Sequence, residues 1–337
     1  MRGTKIAALP LFASVLLLLT ACASPSATRT AFAMDTAVTL TAYGAAAEQA
    51  MDAALAILFE AEGLWSTTLP DSTVSRLNRD GTAVLDARTA ELLACALGFA
   101  ARTDGAFDPT VCPMVRAWGF TTGAYRVPDP AELADLRARG NYRDVMLAGG
   151  VATLGSGMAL DFGAIAKGYS ADVMADVMRS RGVTSGLISL GGNVRALGAK
   201  PDGSPWRVGI RDPERPDRLV GVVSVRDLSV VTSGGYERFF VRDGMRYHHI
   251  LDPGTGEPAR SGLLSVTVIS PDGALADALS TALFVMGLDR GLAFWREERD
   301  FEAIFVTEGG EIIATPGLEG VLSEPSAEYA LRWADWS

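Results

Sequence analysis

Hydrophobic and polar residues alternate along this chain with two periods, and the change of period marks the predicted elements. In residues 45–64 and 87–103, apolar residues recur every three to four positions, which predicts amphipathic helices. Between residues 186 and 251 they recur in short runs broken by glycine, which predicts successive strands. Asp243-Gly244 favours a type I′ hairpin turn within that region. The pattern therefore predicts an α+β fold.

The remaining segments extend this prediction. On the first helix, Leu55, Leu58 and Phe59 are expected to face the core. We expect an ordered loop without a regular helix at residues 105–120, because two prolines interrupt it, and an irregular tail after residue 317. Residues 32–337 are predicted to form a single domain of two lobes. Further strands are predicted at 32–43, 263–270, 303–307 and 311–315, a hairpin at 144–154, and helices after residue 72 and at 129–139, 166–182, 274–286 and 288–298.

The first residues have the layout of a secretory signal. Arg2 and Lys5 precede an apolar run over residues 6–19, which is too short for a comfortable membrane span. The tetrad Leu-Thr-Ala-Cys that ends at Cys22 resembles the lipobox of bacterial lipoproteins, in which the chain is cut before the cysteine and the cysteine is lipidated. The alternative is a stray cysteine. We expect residues 1–21 to be a signal peptide and 22–31 a lipidated cysteine and tether, which predicts an extracytoplasmic protein anchored on the periplasmic side of the inner membrane.

Net charge and amino-acid composition limit which partners and which kinds of site the chain can have. The chain has 30 basic and 40 acidic residues, a net charge of −10, and loss of residues 1–21 would make it −12. This acidity argues against nucleic acid as a partner. Only two histidines occur, which excludes a zinc site built on spaced histidines. A disulfide between Cys95 and Cys112 stays open, with buried thiols as the alternative.

Residues 160–178 combine a glycine-broken loop with the start of a helix. Asp161 and Lys167 lie among small residues such as Gly163, Ala164 and Gly168, which let a ligand approach the backbone. Free N–H groups at a helix start bind anions, so a phosphate-bearing ligand is expected. The segment matches neither a phosphate-loop nor a dinucleotide-binding motif. A tight turn packed for structural reasons is the alternative.

A second candidate lies on the helix predicted at 274–286. Asp277 and Thr281 are four residues apart, so their side chains share one helix face. Hard oxygen donors at this spacing suit Mg²⁺. The alternative is a solvated aspartate beside a threonine that bonds back to its own helix.

Several short motifs follow one another along most of the chain. In order, they are Met34-Asp35-Thr36, residues 66–78 and 105–109, residues 160–163 with 166–169, Ser233-Gly234 with Tyr236-Glu237, residues 249–256, and residues 276–281. Taken together, these motifs resemble those of the ApbE family over roughly residues 32–315. The resemblance implies an FAD:protein FMN transferase, of a group formerly called thiamine biosynthesis lipoproteins. It also implies a T-fold-related, ApbE-like architecture with an antiparallel sheet packed with helices.

The resemblance also assigns roles. It implies that Asp277, Thr281 and the carbonyl of Ala164 bind Mg²⁺, and that His249 is the general base while Asp277 is catalytic through the metal. His248 has no family counterpart and is expected at the surface or in a hairpin. The positions implied to line FAD are Met34, Ala106, Phe107, Asp108, Asp161, Lys167 and Ile250.

One residue departs from the family pattern. Many members have tyrosine where this chain has Thr68, so an aromatic contact to FAD would be missing or supplied by Trp65.

The resemblance implies a reaction in which FAD is split with Mg²⁺, FMN is joined through a phosphoester to a Thr or Ser of an acceptor protein, and AMP leaves. Family acceptors are flavoprotein subunits of Nqr- or Rnf-type redox complexes. Two alternatives remain open: an FAD pyrophosphatase that yields FMN and AMP, and a lipid-anchored flavin-binding protein without chemistry.

Overall fold

The computed structural model describes residues 26–336. The predicted signal peptide and Cys22 lie outside the described residues. Within residues 26–336, no helix is long and apolar enough to cross a membrane.

The described chain alternates helices and strands, with short 3₁₀ turns at Tyr142–Asp144 and Pro316–Leu318. The helices are α1 (Ala47–Trp65), α2 (Thr73–Asp80), α3 (Ala87–Arg102), α4 (Cys112–Ala117), α5 (Pro130–Arg139), α6 (Ala166–Ser180), α7 (Gly273–Met286) and α8 (Leu288–Glu298). The strands are β1 (Ser26–Ala33), β2 (Thr36–Tyr43), β3 (Thr82–Val84), β4 (Met146–Ala148), β5 (Val151–Thr153), β6 (Gly186–Leu190), β7 (Asn193–Leu197), β8 (Trp206–Arg211), β9 (Leu219–Val225), β10 (Ser229–Gly234), β11 (Phe239–Arg242), β12 (Met245–His248), β13 (Leu263–Ser270), β14 (Glu302–Thr307), β15 (Glu311–Ala314), β16 (Leu322–Ser323) and β17 (Ala330–Trp333).

Nine strands form one large sheet in the order β1-β2-β6-β7-β10-β13-β14-β15-β17. Every neighbouring pair is antiparallel except β15 and β17, which run parallel. Three small sheets accompany it, β11-β12, β16-β9-β8 and β3-β5-β4. The predicted α+β class, with an antiparallel sheet packed with helices, is confirmed.

The central strands of the large sheet are buried on both faces, and successive residues of each strand point to opposite sides. On β10, Val231 packs into the core formed with α3 and α7, whereas Val230 packs against β8 and β9. A separate core lies between α1, α6 and strands β2 and β6. The helices α6 and α7 therefore lie side by side on one face of the sheet, and the candidate site forms where they meet.

Most predicted elements are confirmed within two residues, and Ser72 caps α2 through the N–H of Ser75. The predicted tether is wrong from residue 26 onward, because β1 begins there and pairs along its whole length with β2. Its Ser, Ala and Thr residues have the composition of a linker. The same residues alternate in exposure as an edge strand does.

Three further expectations are wrong. Residues 105–120 contain α4, since Pro113 lies in its first turn, where a missing N–H costs little. Phe59 is 48% exposed, because the buried stripe of α1 is made of alanines with Met51, Leu58 and Trp65. The tail is not irregular throughout, since β17 extends the large sheet beside β15. Near the end of the described chain, Trp336 packs against Trp295 with ring centroids 5.1 Å apart.

Candidate active site

The site is built where α6 and α7 approach closely. A Cβ atom on Gly168 would lie 2.0 Å from the carbonyl oxygen of Gly273, so this contact requires glycine. The close approach brings the backbone of α6 against Asp277 on α7, whose side chain is almost fully buried. Its Oδ2 accepts the N–H of Gly168 at 2.9 Å, and its Oδ1 accepts the Nδ2 of Asn193 at 3.0 Å. Both carboxylate oxygens are therefore held by neutral donors.

Because the Gly168 N–H bonds to Asp277, the Ala164 carbonyl lacks its usual helical donor. In a regular helix the N–H of residue 168 would donate to the carbonyl of residue 164. Tyr169 makes the corresponding bond to Ile165 at 3.0 Å, whereas the N–H of Gly168 is taken by Asp277. Among the described backbone hydrogen bonds, the Ala164 carbonyl accepts none. A hard oxygen is thus left without a backbone donor in the turn that precedes Gly168, the residue whose N–H bonds to Asp277.

Thr281 adds a hydroxyl one helical turn along α7. Its Oγ1 lies 3.1 Å from the Oγ of Ser233, which is 2.8 Å from the Oγ of Ser280. The carboxylate, the hydroxyl and the free carbonyl are the oxygen donors that Mg²⁺ prefers, so these residues fit the ion. No group of three or more His, Cys, Asp or Glu that could hold a metal occurs in residues 26–336. A cation here would share its coordination with ligand phosphates and water.

We expect Gly168→Ala to destabilise the protein, because the new methyl group would force α6 away from α7. Overpacking of this kind lowers the free energy of unfolding by about 1–3 kcal/mol. Gly98 on α3 is a matched control, since a Cβ there meets nothing within 4 Å. Gly98→Ala should raise the unfolding free energy by about 0.5–1 kcal/mol. Urea denaturation of both variants measures the difference, and equal effects would contradict the close-contact argument.

Two loops lie beside this contact and carry most of the predicted FAD positions. The N–H of Asp161 donates to the carbonyl of Pro109 at 2.8 Å, which joins the loops. The Asp161 Oδ1 accepts the N–H of Gly163 at 2.6 Å. Asp108 Oδ1 accepts the N–H and the hydroxyl of Thr110 at 2.8 and 2.7 Å. Burial raises the pKa of Asp108 despite these bonds. The Asp161 and Asp108 carboxylates thus each stabilise the backbone conformation of their own loop.

Three of the predicted FAD positions are buried. Ala106 and Phe107 lie in the main core, and so does Ile250, whose carbonyl accepts the N–H of Ala259 at 2.9 Å. Because these side chains are buried, they can pack beneath a bound FAD ring but expose little surface to it.

Met34 lies in the turn between β1 and β2. Met34 and Asp35 both have positive φ, 51° and 59°, as the two central residues of a type I′ turn require. This conformation is uncommon for a residue with a long side chain. The Met34 N–H donates to Oε1 of Glu62 on α1 at 2.8 Å, and Asp35 forms an ion pair with Arg238 at 2.7 Å. Glu62, which the sequence analysis missed, therefore helps to hold this turn.

His249 lies directly after β12. Its Nδ1 is 3.2 Å from the carbonyl of Arg238, an acceptor, which assigns the proton to Nδ1 and leaves a lone pair on Nε2. Part of the side chain reaches solvent, but the protein packed around the ring, followed by the charge of Arg238, lowers the His249 pKa to about 3. Lys167, whose Nζ donates to the Gly163 carbonyl at 3.1 Å, acts in the same direction. The imidazole is therefore neutral near pH 7.

His248 lies in the β11–β12 hairpin, opposite Phe239, which is one of the two places expected for it. It is half-buried, its Nε2 is 3.0 Å from the carbonyl of Ala259, and its ring packs edge-on against Phe284 with centroids 5.5 Å apart. Burial lowers the pKa of His248 as well. The alternation of a strand places its two neighbours on the other face, so His248 and His249 have different surroundings.

Trp65 cannot supply the aromatic contact that Thr68 lacks. The indole is buried, donates to Oγ1 of Thr89 at 3.0 Å, and packs edge-on against Tyr169. Cys95 and Cys112 are both free thiols, and burial raises the pKa of Cys112 to about 12.

Sequence reasoning did not reveal the contacts by which Asn193 holds the Asp277 carboxylate and Asp172 holds α7. Asn193 follows a Gly-Gly pair at a strand end, which indicated a close backbone approach without revealing the amide bond to Asp277. Asp172 caps α7 by accepting the N–H of Gly273 at 2.6 Å. Its Oδ1 also lies 3.3 Å from Nε of Arg195 on β7. Burial raises the Asp172 pKa to about 6 even though Arg195 opposes the shift.

Comparison with known proteins identifies the family of this chain. The family model described as the ApbE family matches residues 34–305. The FAD:protein FMN transferase of Treponema pallidum (strain Nichols) is 39% identical over 303 residues, which cover 84% of each chain. That of Klebsiella pneumoniae (strain 342) is 40% identical over 227 residues, 66% of this chain and 70% of the relative.

A solved structure has a similar fold. The crystal structure of the ApbE protein from Thermotoga maritima superposes with a TM-score of 0.84 at 35% identity, covering 89% of this chain and 100% of that one. This similarity confirms the predicted ApbE-like architecture. The order of motifs, the matched length and the fold agree, and the chain belongs to the ApbE family.

Proposed function

We propose that the protein is an Mg²⁺-dependent FAD:protein FMN transferase. It joins FMN through a phosphoester bond to a Thr or Ser hydroxyl of an acceptor protein and releases AMP. The observation that carries this proposal is the bond from the Gly168 N–H to the buried Asp277 carboxylate, which leaves the Ala164 carbonyl without its helical donor. The names of the relatives, which are FAD:protein FMN transferases, support the choice of substrate.

Asp277, Thr281 and the Ala164 carbonyl would hold the metal. When bound, Mg²⁺ would neutralise the charge of the pyrophosphate and the charge that develops on AMP as it leaves. The two oxygens of Asp277 are oriented by Gly168 and Asn193, so the carboxylate needs little rearrangement to bind a cation. The site is thus organised before its ligand arrives.

His249 supplies the base. Its neutral Nε2 accepts the proton of the acceptor hydroxyl while that oxygen attacks the phosphorus of the FMN half. The bond from this phosphorus to the oxygen shared with AMP breaks, and AMP leaves with the bonding electrons. Lys167 lies close enough to lower the His249 pKa, so its charge is also placed to attract the phosphates.

The other assignments follow from the same function. FAD would be lined by Met34, the loops that contain Ala106, Phe107, Asp108 and Asp161, and by Lys167 and Ile250. The acceptors would be flavoprotein subunits of Nqr- or Rnf-type redox complexes. Lipidation at Cys22 would anchor the enzyme to the periplasmic side of a bacterial inner membrane.

The experiment that tests the function is incubation with FAD, Mg²⁺ and an apo-acceptor subunit, followed by mass spectrometry. We expect the acceptor to gain the mass of FMN in the presence of Mg²⁺ and to remain unchanged with EDTA. Free FMN and AMP without acceptor modification would identify a pyrophosphatase, in which water replaces the protein hydroxyl. Intact FAD would identify a non-catalytic flavin-binding protein. Either of the last two results would contradict the transferase proposal.

A further inference from the structure

Ser233 lies near the end of β10, in one of the sequence motifs, and its side chain faces α7. Successive residues of a strand point to opposite sides, and Val231, two positions earlier, packs into the core that contains α7. Thr232 points to the other side of the sheet, where its Oγ1 is 2.8 Å from Oγ1 of Thr267 on β13. The hydroxyl of Ser233 is therefore directed at the helix that carries the predicted side-chain ligands of the metal.

Three hydroxyl groups and one carbonyl form a continuous chain of hydrogen bonds between β10 and α7. The Oγ1 of Thr281 lies 3.1 Å from Oγ of Ser233, which lies 2.8 Å from Oγ of Ser280. The Ser280 hydroxyl in turn lies 2.9 Å from the carbonyl oxygen of Asp277. Ser280 is fully buried, whereas Ser233 and Thr281 are half-buried. The chain of bonds therefore runs from the edge of the site to a buried backbone carbonyl.

The carbonyl at one end gives this chain of bonds a direction. A hydroxyl has one proton to donate, whereas a carbonyl oxygen can only accept. The Asp277 carbonyl has two lone pairs, so it can accept the Ser280 hydroxyl together with the helical N–H of residue 281. Ser280 then accepts from Ser233, and Ser233 accepts from Thr281. The Thr281 proton thus points to Ser233, and both lone pairs of its oxygen remain free.

The opposite order of donors would leave one proton without a place. Ser280 would donate to Ser233 and Ser233 to Thr281, so the Thr281 proton would need a different acceptor. Among the groups of residues 26–336, the Thr281 hydroxyl has a hydrogen bond only with Ser233. The order that ends on the Asp277 carbonyl is the one in which every hydroxyl proton has an acceptor within the protein.

We propose that Ser233 and Ser280 are positioning residues that orient the Thr281 hydroxyl towards Mg²⁺. This inference rests on the Mg²⁺ site of the proposed function. A hydroxyl binds a cation through a lone pair, so its proton has to be donated elsewhere. The two serines pass this donation to the Asp277 carbonyl, and the order of the three hydroxyls is set before a cation arrives. Neither serine has to contact the ion.

The two side-chain ligands are then oriented by separate sets of bonds. Gly168 and Asn193 hold the Asp277 carboxylate, whereas Ser233 and Ser280 act on Thr281. Loss of the Ser233 hydroxyl should therefore weaken the contribution of Thr281 and leave the carboxylate in place.

The test measures cation binding without turnover. Mn²⁺ binds to the same oxygen ligands as Mg²⁺, and EPR of free Mn²⁺ gives its Kd for the protein with FAD present and no acceptor. We expect Ser233→Ala to raise this Kd about tenfold, as the loss of a group that orients a metal ligand does. Ser280→Ala should have the same effect, because Ser233 would lose its acceptor. Thr232→Val, which removes a hydroxyl pair of the same 2.8 Å length on the other face of β10, is the matched control and should keep the wild-type Kd.

A double-mutant cycle separates the orientation of Thr281 from a general structural role. In Thr281→Val there is no hydroxyl to orient, so adding Ser233→Ala should not raise the Kd for Mn²⁺ any further. A serine that only supported the fold would weaken binding equally in both backgrounds.

Three results would overturn the proposal. The first is a wild-type Kd in Ser233→Ala. The second is an equal loss in Thr232→Val, which would show that any hydroxyl lost from β10 disturbs the site. The third is a further loss when Ser233→Ala is added to Thr281→Val, which would show that Ser233 acts independently of Thr281.

The same measurements distinguish this proposal from the proposed function. Wild-type protein that binds no Mn²⁺ would refute the metal assignment, and the role of the two serines with it. Wild-type protein that binds Mn²⁺ but modifies no acceptor would refute only the transferase function, and the Mn²⁺ titrations of the variants would still decide the role of the serines.

Discussion

Replacing Asp277 by alanine should lower FMN transfer by about a thousandfold or more, because the variant loses the only carboxylate of the predicted Mg²⁺ site. Asparagine should serve little better. One oxygen would become an NH₂ group, which would face either the Gly168 N–H or the Asn193 amide, both of which are donors. Mass spectrometry of the acceptor over a range of Mg²⁺ concentrations measures the loss.

Stability has to be separated from catalysis in this experiment. Asp277→Ala leaves two buried donors unpaired, at about 1–3 kcal/mol each, so part of the loss would reflect unfolding. Thr281→Val keeps the side-chain shape and removes only the hydroxyl. We expect it to raise the Mg²⁺ concentration for half-maximal transfer by about 10–100-fold with folding retained. Asp289→Ala, at an exposed position of α8, is the control for a lost carboxylate. Full activity of Asp277→Ala would exclude the metal assignment.

The second large effect is expected at His249. His249→Gln should reduce kcat by about 10²–10⁴-fold, the range for loss of a general base. In the wild type, kcat/KM for FAD should stay nearly constant from pH 8 down to pH 5, because the lowered pKa of about 3 keeps the imidazole neutral. A histidine with the ordinary pKa of about 6.5 would lose activity below that pH. A tenfold fall per pH unit below 6.5 would contradict the assignment.

The lowered pKa of His249 also makes the free energy of unfolding depend on pH. Below about pH 6.5 the unfolded chain binds a proton at residue 249 that the folded chain does not bind until about pH 3. The unfolded state therefore holds more protons in that window, and stability falls as the pH falls through it. His249→Gln should weaken this dependence in urea denaturation. His248→Gln serves as the neighbouring control for transfer, since His248 bonds to Ala259 and packs on Phe284.

Local patterns along the chain were enough for most elements of the fold. Apolar residues at helical spacing located α3 and α6, and Asp243-Gly244 located the hairpin turn, whose residues both have positive φ. These signals depend on neighbours within a few residues. Composition was a poor guide at both ends of the described chain. There β1 forms by pairing with β2, and β17 forms by a parallel pairing with β15, which leaves no local signature in the sequence.

By itself, the sequence determined the α+β class, the family resemblance and the types of residue in the site, including Asp277 and Thr281 four positions apart on one helix. Only the tertiary structure decided how these residues work together. The N–H of Gly168 reaches Asp277 because two glycines, 105 positions apart by number, let α6 and α7 touch. That contact releases the carbonyl of Ala164. A backbone oxygen has no side-chain identity, so its availability depends on which distant group takes the hydrogen bond that would otherwise occupy it.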